Sequence, residues 1–117
     1  MKYTEINVLF NKVSKFVVYG AGTRGNIIVR VLKSMGINCI AVVDSDIAKH
    51  GHFIYGTEIM SKNYLKNLDD LTYVIVSVAA GEDIYTEISK YCRVLPLKTA
   101  DYIIRMTYLN CEEYGYE

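Results

Sequence analysis

A three-layer α/β fold, with a parallel sheet of about four strands and helices on both faces, is what this sequence predicts. Three observations carry the prediction. The chain has 117 residues, 51% of them apolar, enough for one domain with a core of its own. Short runs rich in valine and isoleucine alternate with longer stretches of helical periodicity, the alternation that builds parallel sheets through right-handed crossovers. The first such run leads directly into Gly20-Ala21-Gly22-Thr23-Arg24-Gly25, a Gly-x-Gly-x-x-Gly loop that opens the next helical stretch.

Taken in order, Glu5 to Val13 reads as a short helix, with Thr4 as its N-cap and Ile6, Leu9, Phe10 and Val13 on one face. Lys15 starts the first strand, whose residues Phe16-Val17-Val18-Tyr19 are apolar on both faces, as in a strand covered from both sides. The helix from Gly25 to Met35 has a buried stripe of Ile27, Ile28, Val31, Leu32 and Met35, and Gly36 ends it in a left-handed conformation. Cys39 to Val43 is the second strand and runs into Asp44-Ser45-Asp46. Ile47 to Thr57 reads as irregular, with Gly51 and Gly56 as turn residues, and Ser61 caps a weak helix from Lys62 to Leu68.

Thr72 to Val78 is the third strand, and Ala79-Ala80-Gly81 turns into a helix from Glu82 to Tyr91 that buries Ile84, Ile88 and Tyr91. Val94-Leu95 makes a short fourth strand before Pro96, and Asp101 to Asn110 a last helix, with Cys111 to Glu117 a loose tail. The expected strand order is 3-2-1-4, half of a doubly wound fold. The domain spans 1-117: an N-terminal helix over 1-14, a β-α-β core over 15-97, and a C-terminal helix and tail over 98-117.

Composition excludes several classes of function. Thirteen basic residues balance thirteen acidic ones, so there is no electrostatic footprint for nucleic acid or an anionic membrane. No apolar run approaches the roughly 18 residues of a membrane span. The start, Met1-Lys2-Tyr3-Thr4-Glu5, lacks an apolar signal core, and a cytoplasmic chain is expected. Cys39, Cys92 and Cys111 are odd in number, widely spaced and free of any Cys-x-x-Cys pair, which suggests neither a zinc site nor a disulfide framework.

The glycine loop passes its context test, since it follows a buried strand, opens an amphipathic helix and sits in a β-α-β unit of the right length. Gly20 allows the tight turn, Gly22 leaves bare backbone beside a phosphate, and Gly25 lets helix and strand pack closely. Thr23 and Arg24 complete the loop at the positive end of the helix, where free N–H groups attract anions. Asp44 ends the second strand 19 residues past Gly25, where an acid holds ribose hydroxyls and repels a 2′-phosphate. Arg24, close by, pulls the other way.

Ser77 and Ala79 close the third strand with small side chains, which either leave room for a ligand or pack tightly under the glycine loop. These features make a Rossmann-type module, with Gly20, Gly22, Thr23, Arg24, Gly25, Asp44, Ser77 and Ala79 as candidate nucleotide contacts. His50 and His52 flank Gly51 in what reads as a solvent-facing loop, a base or metal ligand being the other use. There is no Tyr-x-x-x-Lys pair, Gly-x-Ser-x-Gly elbow or Walker loop. No catalytic residue is assigned, and the chain is expected to bind a nucleotide without turning it over.

The pattern Phe16-Val17-Val18-Tyr19-Gly20-Ala21-Gly22-Thr23-Arg24-Gly25, with Val42-Val43-Asp44-Ser45-Asp46, Gly51, Gly56-Thr57-Glu58-Ile59 and the strand ending at Ser77, resembles the N-terminal Rossmann-like domain of bacterial nucleotide-sugar enzymes. It is similar to the acetyltransferases of the sialic-acid and bacillosamine type and to the N-terminal domain of polysaccharide-biosynthesis epimerase/dehydratases. Rossmann modules attached to glycosyltransferases and sugar methyltransferases look alike too. The resemblance covers roughly Lys15 to Tyr91 and implies that Gly20, Gly22, Gly25 and Asp44 contact a UDP-sugar or NAD. The acetyltransferases usually carry a glycine-His pair where Thr23-Arg24 stand here, and a β-helix of hexapeptide repeats that this sequence lacks.

The resulting expectation is an accessory nucleotide-binding domain linked to bacterial cell-surface polysaccharide and nucleotide-sugar metabolism. The alternatives are an NAD-dependent oxidoreductase or epimerase domain of a longer enzyme, and an NAD-sensing regulatory module. A homodimer through the C-terminal helix is also expected, because Tyr102, Ile103, Ile104, Met106, Tyr108 and Leu109 exceed one buried stripe, unless they complete the chain's own core.

Overall fold

Valine and isoleucine runs that are apolar on both faces gain most by lying between two helical layers, and the computed structural model, which describes residues 3–79 and 81–113, places them there. The strands are β1 (Lys15–Tyr19), β2 (Cys39–Val43), β3 (Phe53–Ile54), β4 (Thr57–Met60), β5 (Thr72–Val76) and β6 (Arg93–Val94). They form one sheet in the order β3-β4-β2-β1-β5-β6, parallel except for the β3–β4 hairpin. Strand β1 is central, with Val18 paired to Val42 of β2 on one side and to Ile75 of β5 on the other.

Alternation along β1 divides the core between the two faces. Phe16 and Val18 pack with Ile28 and Leu32 of helix α2 (Thr23–Ser34) and with Ala100 and Ile103 of helix α4 (Lys98–Glu113). Val17 and Tyr19 pack with Leu65 and with Ile88 of helix α3 (Glu82–Ile88). The three-layer α/β class is therefore as predicted.

The strand count and order need correction. The sheet has six strands, and Thr72–Val76 lies beside β1, not beside β2. Strand β4 takes the position next to β2, with Val42 opposite Ile59 and Val43 opposite Met60. The order 3-2-1-4 thus holds only once β4 is counted as the third strand. The predicted irregular stretch hides a hairpin, turned by Tyr55 and Gly56, both at positive φ (48° and 80°), the conformation of a tight two-residue hairpin loop. Gly36 adopts the left-handed conformation expected of it, and Gly51, expected as a turn residue, lies in a turn at positive φ.

The helices shift at their ends. Helix α1 spans Tyr3–Phe10, short of Val13; Leu9 is buried, whereas Phe10 and Val13 are exposed, and the side chain of Ile6 lies outside the described set. Helix α2 begins at Thr23 and ends at Ser34, leaving Met35 partly exposed beyond it; its buried side is Ile28, Val29, Val31 and Leu32. Lys62–Asn67 is a 3-10 turn, and the Ser61 hydroxyl makes no capping bond to it. Helix α3 stops at Ile88, which leaves Tyr91 exposed. Helix α4 starts three residues early and continues through Cys111 to Glu113, where a loose tail was expected; residues 114–117 lie outside the described set. Its Ala100 and Ile103 are buried within the chain's own core.

Candidate functional site

The chain turns from β1 into α2 through the glycine loop, and each glycine meets a different local demand. Gly20 has φ +112°, and a Cβ there would lie 2.4 Å from the Ser77 hydroxyl oxygen. A Cβ on Gly25 would lie 1.8 Å from the Gly20 carbonyl oxygen, so the first turn of α2 presses against the loop that precedes it. Gly22 differs from both: it is exposed, nothing lies within 4 Å of where its Cβ would be, and it caps α2 without a side chain. The N-terminus of a 12-residue helix therefore opens onto bare backbone, the arrangement that accepts an anion. Thr23 is exposed beside it.

Asp44, at the end of β2, reaches back to the loop. Its Oδ2 accepts from the Ala21 N–H at 2.8 Å, and its Oδ1 accepts from the Asp46 N–H at 2.8 Å. The Lys49 ammonium lies 3.9 Å from Oδ2. Burial raises the Asp44 carboxyl pKa, but the Asp46 and Ala21 N–H groups, with Lys49 and His50 nearby, outweigh it and hold the group below the ordinary carboxylate value.

A folded value below the unfolded one means that Asp44 adds stability above the unfolded pKa of about 3.9, and that this stability is lost as pH falls through the folded value. Urea midpoints compared at pH 7 and pH 3 should therefore fall less for Asp44→Asn than for the parent. An equal fall in both would show that the carboxylate does not support the loop.

On the other side of β1, the end of β5 forms the far wall. Ser77 is buried, and its hydroxyl donates to the Tyr19 carbonyl at 2.8 Å, with the Gly20 carbonyl at 3.2 Å. This is the tight-packing alternative for the small residue at that strand end: Ser77 forms the floor under the loop. Ala79 is exposed at the rim, and Gly81 is buried against Val76 and Leu97 at the start of α3.

Arg24 also faces this side. Its Nε–H donates to the Ser77 carbonyl at 2.7 Å and its Nη2 to Asp101 Oδ1 at 2.7 Å. Because β5 and β2 flank β1 on opposite sides, Arg24 is turned away from Asp44, contrary to the expectation that it offsets Asp44 at the ribose. A shallow crevice of about 260 Å³ runs over Gly22, Thr23, Arg24, Gly25, Ser77 and Ala79. A second, of about 450 Å³, continues past Arg24 and Ala79 to Glu82, Leu97, Lys98 and Asp101. Both lie at the carboxyl ends of β1 and β5, where the connections leave the sheet in opposite directions, the place at which open α/β sheets take ligands.

Sequence reasoning missed two contributors. Asn26 donates through Nδ2 to the Gly22 carbonyl at 2.8 Å and to the Ala21 carbonyl at 3.3 Å, fixing the loop from within α2; an Asn one residue past the last glycine was its only signal. Asp101 reaches Arg24 across 77 positions of sequence, for which no local pattern exists.

His50 places Nε2 2.7 Å from the Asp44 carbonyl oxygen, steadying the loop after β2, and His52 is exposed. Burial pushes the Cys39 thiol up to about 11 and raises that of Cys92 as well, so neither presents a thiolate at neutral pH. Among the described residues no three His, Cys, Asp or Glu side chains gather as a metal site would require, and no helix is long and apolar enough to cross a membrane.

Comparison with solved structures supports the topology. The chain is similar to UDP-D-quinovosamine 4-dehydrogenase from Vibrio fischeri, at 25% identity and a TM-score of 0.58, over 71% of this chain and 78% of that one. It also shares its fold with RSP, a Rex-family repressor, at 16% identity and a TM-score of 0.56; the match takes in 97% of this chain but 66% of the repressor. No curated protein matches the sequence. The fold is Rossmann-like, and because residues 12–95, most of the chain, match the family described as C2185-like, N-terminal, the chain belongs to that family.

Proposed function

We propose that this chain binds a nucleotide, a UDP-sugar or NAD, across the carboxyl ends of β2, β1 and β5, and serves bacterial cell-surface polysaccharide or nucleotide-sugar metabolism from the cytoplasm. The observation that carries the reading is the open backbone at Gly22 on the N-terminus of α2, set in a crevice between the glycine loop and the end of β5. Gly20, Gly22, Thr23 and Gly25 cradle phosphate in this reading. Asp44 keeps an accepting carboxylate beside the loop for ribose hydroxyls, Arg24 borders the phosphates, and Ser77 and Ala79 form floor and rim. The likeness to a dehydrogenase whose name carries a UDP-sugar favours this ligand class.

The same likeness favours a second reading, an NAD-dependent domain of a larger enzyme. The Ser77 hydroxyl, in the crevice, is committed to backbone carbonyls and is not set up as a nucleophile. Binding without turnover is part of the proposal, as is a homodimer through α4, where Tyr102, Ile104 and Met106 stay half-buried.

A thermal-shift panel of UDP-sugars, NAD, NADP, coenzyme A and S-adenosylmethionine tests the reading. A rise in Tm with UDP-sugars alone supports the first reading with a nucleotide-sugar as its ligand, and a rise with NAD alone supports NAD as the ligand and with it the second reading. No rise with any of the five overturns both.

A further inference from the structure

Arg24 occupies an unusual position in the crevice. Its Nε–H is fixed on the Ser77 carbonyl, which holds the guanidinium in one place, while its Nη2 is given to an exposed carboxylate that, among the described residues, has no other hydrogen-bond or ion-pair partner. Of the five N–H donors of a guanidinium, these contacts use two. Asp101 is 63% exposed and Arg24 37%, so their pair is a surface ion pair, worth about 0–1 kcal/mol and separable at little cost. The pair stands where the crevice over the glycine loop opens into the larger one, and Lys98 adds a second cation there. An anchored guanidinium facing a loosely held carboxylate is a preformed anion site whose present occupant belongs to the chain itself.

We propose that this larger crevice is a second phosphate subsite, in which Arg24 exchanges Asp101 for the distal phosphate of a bound nucleoside diphosphate. The proposal rests on the nucleotide-binding reading above and extends it. The proximal phosphate meets the backbone at Gly22, and the distal one meets Arg24 and Lys98. Asp101 then acts as an internal competitor that sets affinity for diphosphates and leaves monophosphates untouched. The chain therefore selects nucleoside diphosphates and their esters over monophosphates.

Calorimetric titration of the full chain with UMP, UDP, AMP and ADP tests this, with Asp101→Asn, Glu82→Gln and Arg24→Gln as variants. Asp101→Asn is expected to tighten the diphosphates up to about five-fold, the free energy of one exposed ion pair, with UMP and AMP unchanged. Glu82→Gln removes the same charge from the same crevice without releasing Arg24, and should tighten diphosphates by less. Arg24→Gln should reduce the preference for diphosphate over monophosphate. If Asp101→Asn leaves diphosphate affinity unchanged, or tightens mono- and diphosphates alike, the exchange is wrong while nucleotide binding stands. If the parent binds none of the four, the nucleotide reading falls with it.

Discussion

Gly25→Ala is expected to cost about 4 kcal/mol of stability, read as a fall in the urea midpoint followed by circular dichroism. Overpacking a tight site ordinarily costs about 1–3 kcal/mol, because neighbouring side chains can turn aside. Here the new methyl group would stand 1.8 Å from the carbonyl oxygen and 2.9 Å from the carbonyl carbon of Gly20, and backbone has no rotamer to change. Gly20 cannot retreat, because its N–H donates to the Val43 carbonyl at 2.7 Å and the Ser77 hydroxyl lies beneath it. Relief requires the first turn of α2 to lift away from the sheet, which breaks the packing of Ile28 and Val29. Against a total stability of about 5–15 kcal/mol, that loss removes between about a quarter and four fifths of it. A loss below about 1 kcal/mol would mean that α2 does not press on the loop as described.

Gly22→Val is expected to do the reverse, abolishing nucleotide binding while the fold survives. Gly22 sits at φ −85° and ψ −160°, an extended conformation that valine adopts readily, and its Cβ would meet nothing within 4 Å. The structural cost is a poorer helix cap, about 1 kcal/mol, or a fall in Tm of about 4 °C for a domain of this size. The side chain would project over the N–H groups that a phosphate needs, so affinity for the preferred nucleotide should fall by more than about tenfold, or 1.4 kcal/mol. Titration of both proteins with that nucleotide gives the comparison, and unchanged affinity in a folded variant removes the loop from the site.

The contrast between these glycines was visible in the spacing of the loop, and so were β1 and β2, whose runs of apolar residues leave no solvent-facing position for a helix to use. The third strand was not visible. Thr57 to Met60 is only four residues long, buries alternate positions, and follows a turn that places Tyr55 in a left-handed conformation where Asn or Gly would have signalled a hairpin. With β4 unseen, Thr72–Val76 was assigned its place, and the wrong neighbour followed. The crevice wall at Ser77 and Ala79 was legible as small residues at a strand end, but the contact of Arg24 with the Ser77 carbonyl was not, since it joins residues 53 positions apart and exists only because β5 lies beside β1. Asp44 was legible as a strand-end acid, but its bond to the Ala21 N–H joins two elements across 23 residues and depends on the folded loop.

The two outermost strands, β3 and β6, each have two residues. A parallel sheet with a long, bare outer strand offers a row of unpaired N–H and C=O groups on which another chain can polymerise. Here each border is only a few ångströms long, and on one side a sharply turned antiparallel hairpin closes it. Such short borders disfavour fibre-like, strand-to-strand growth at high concentration.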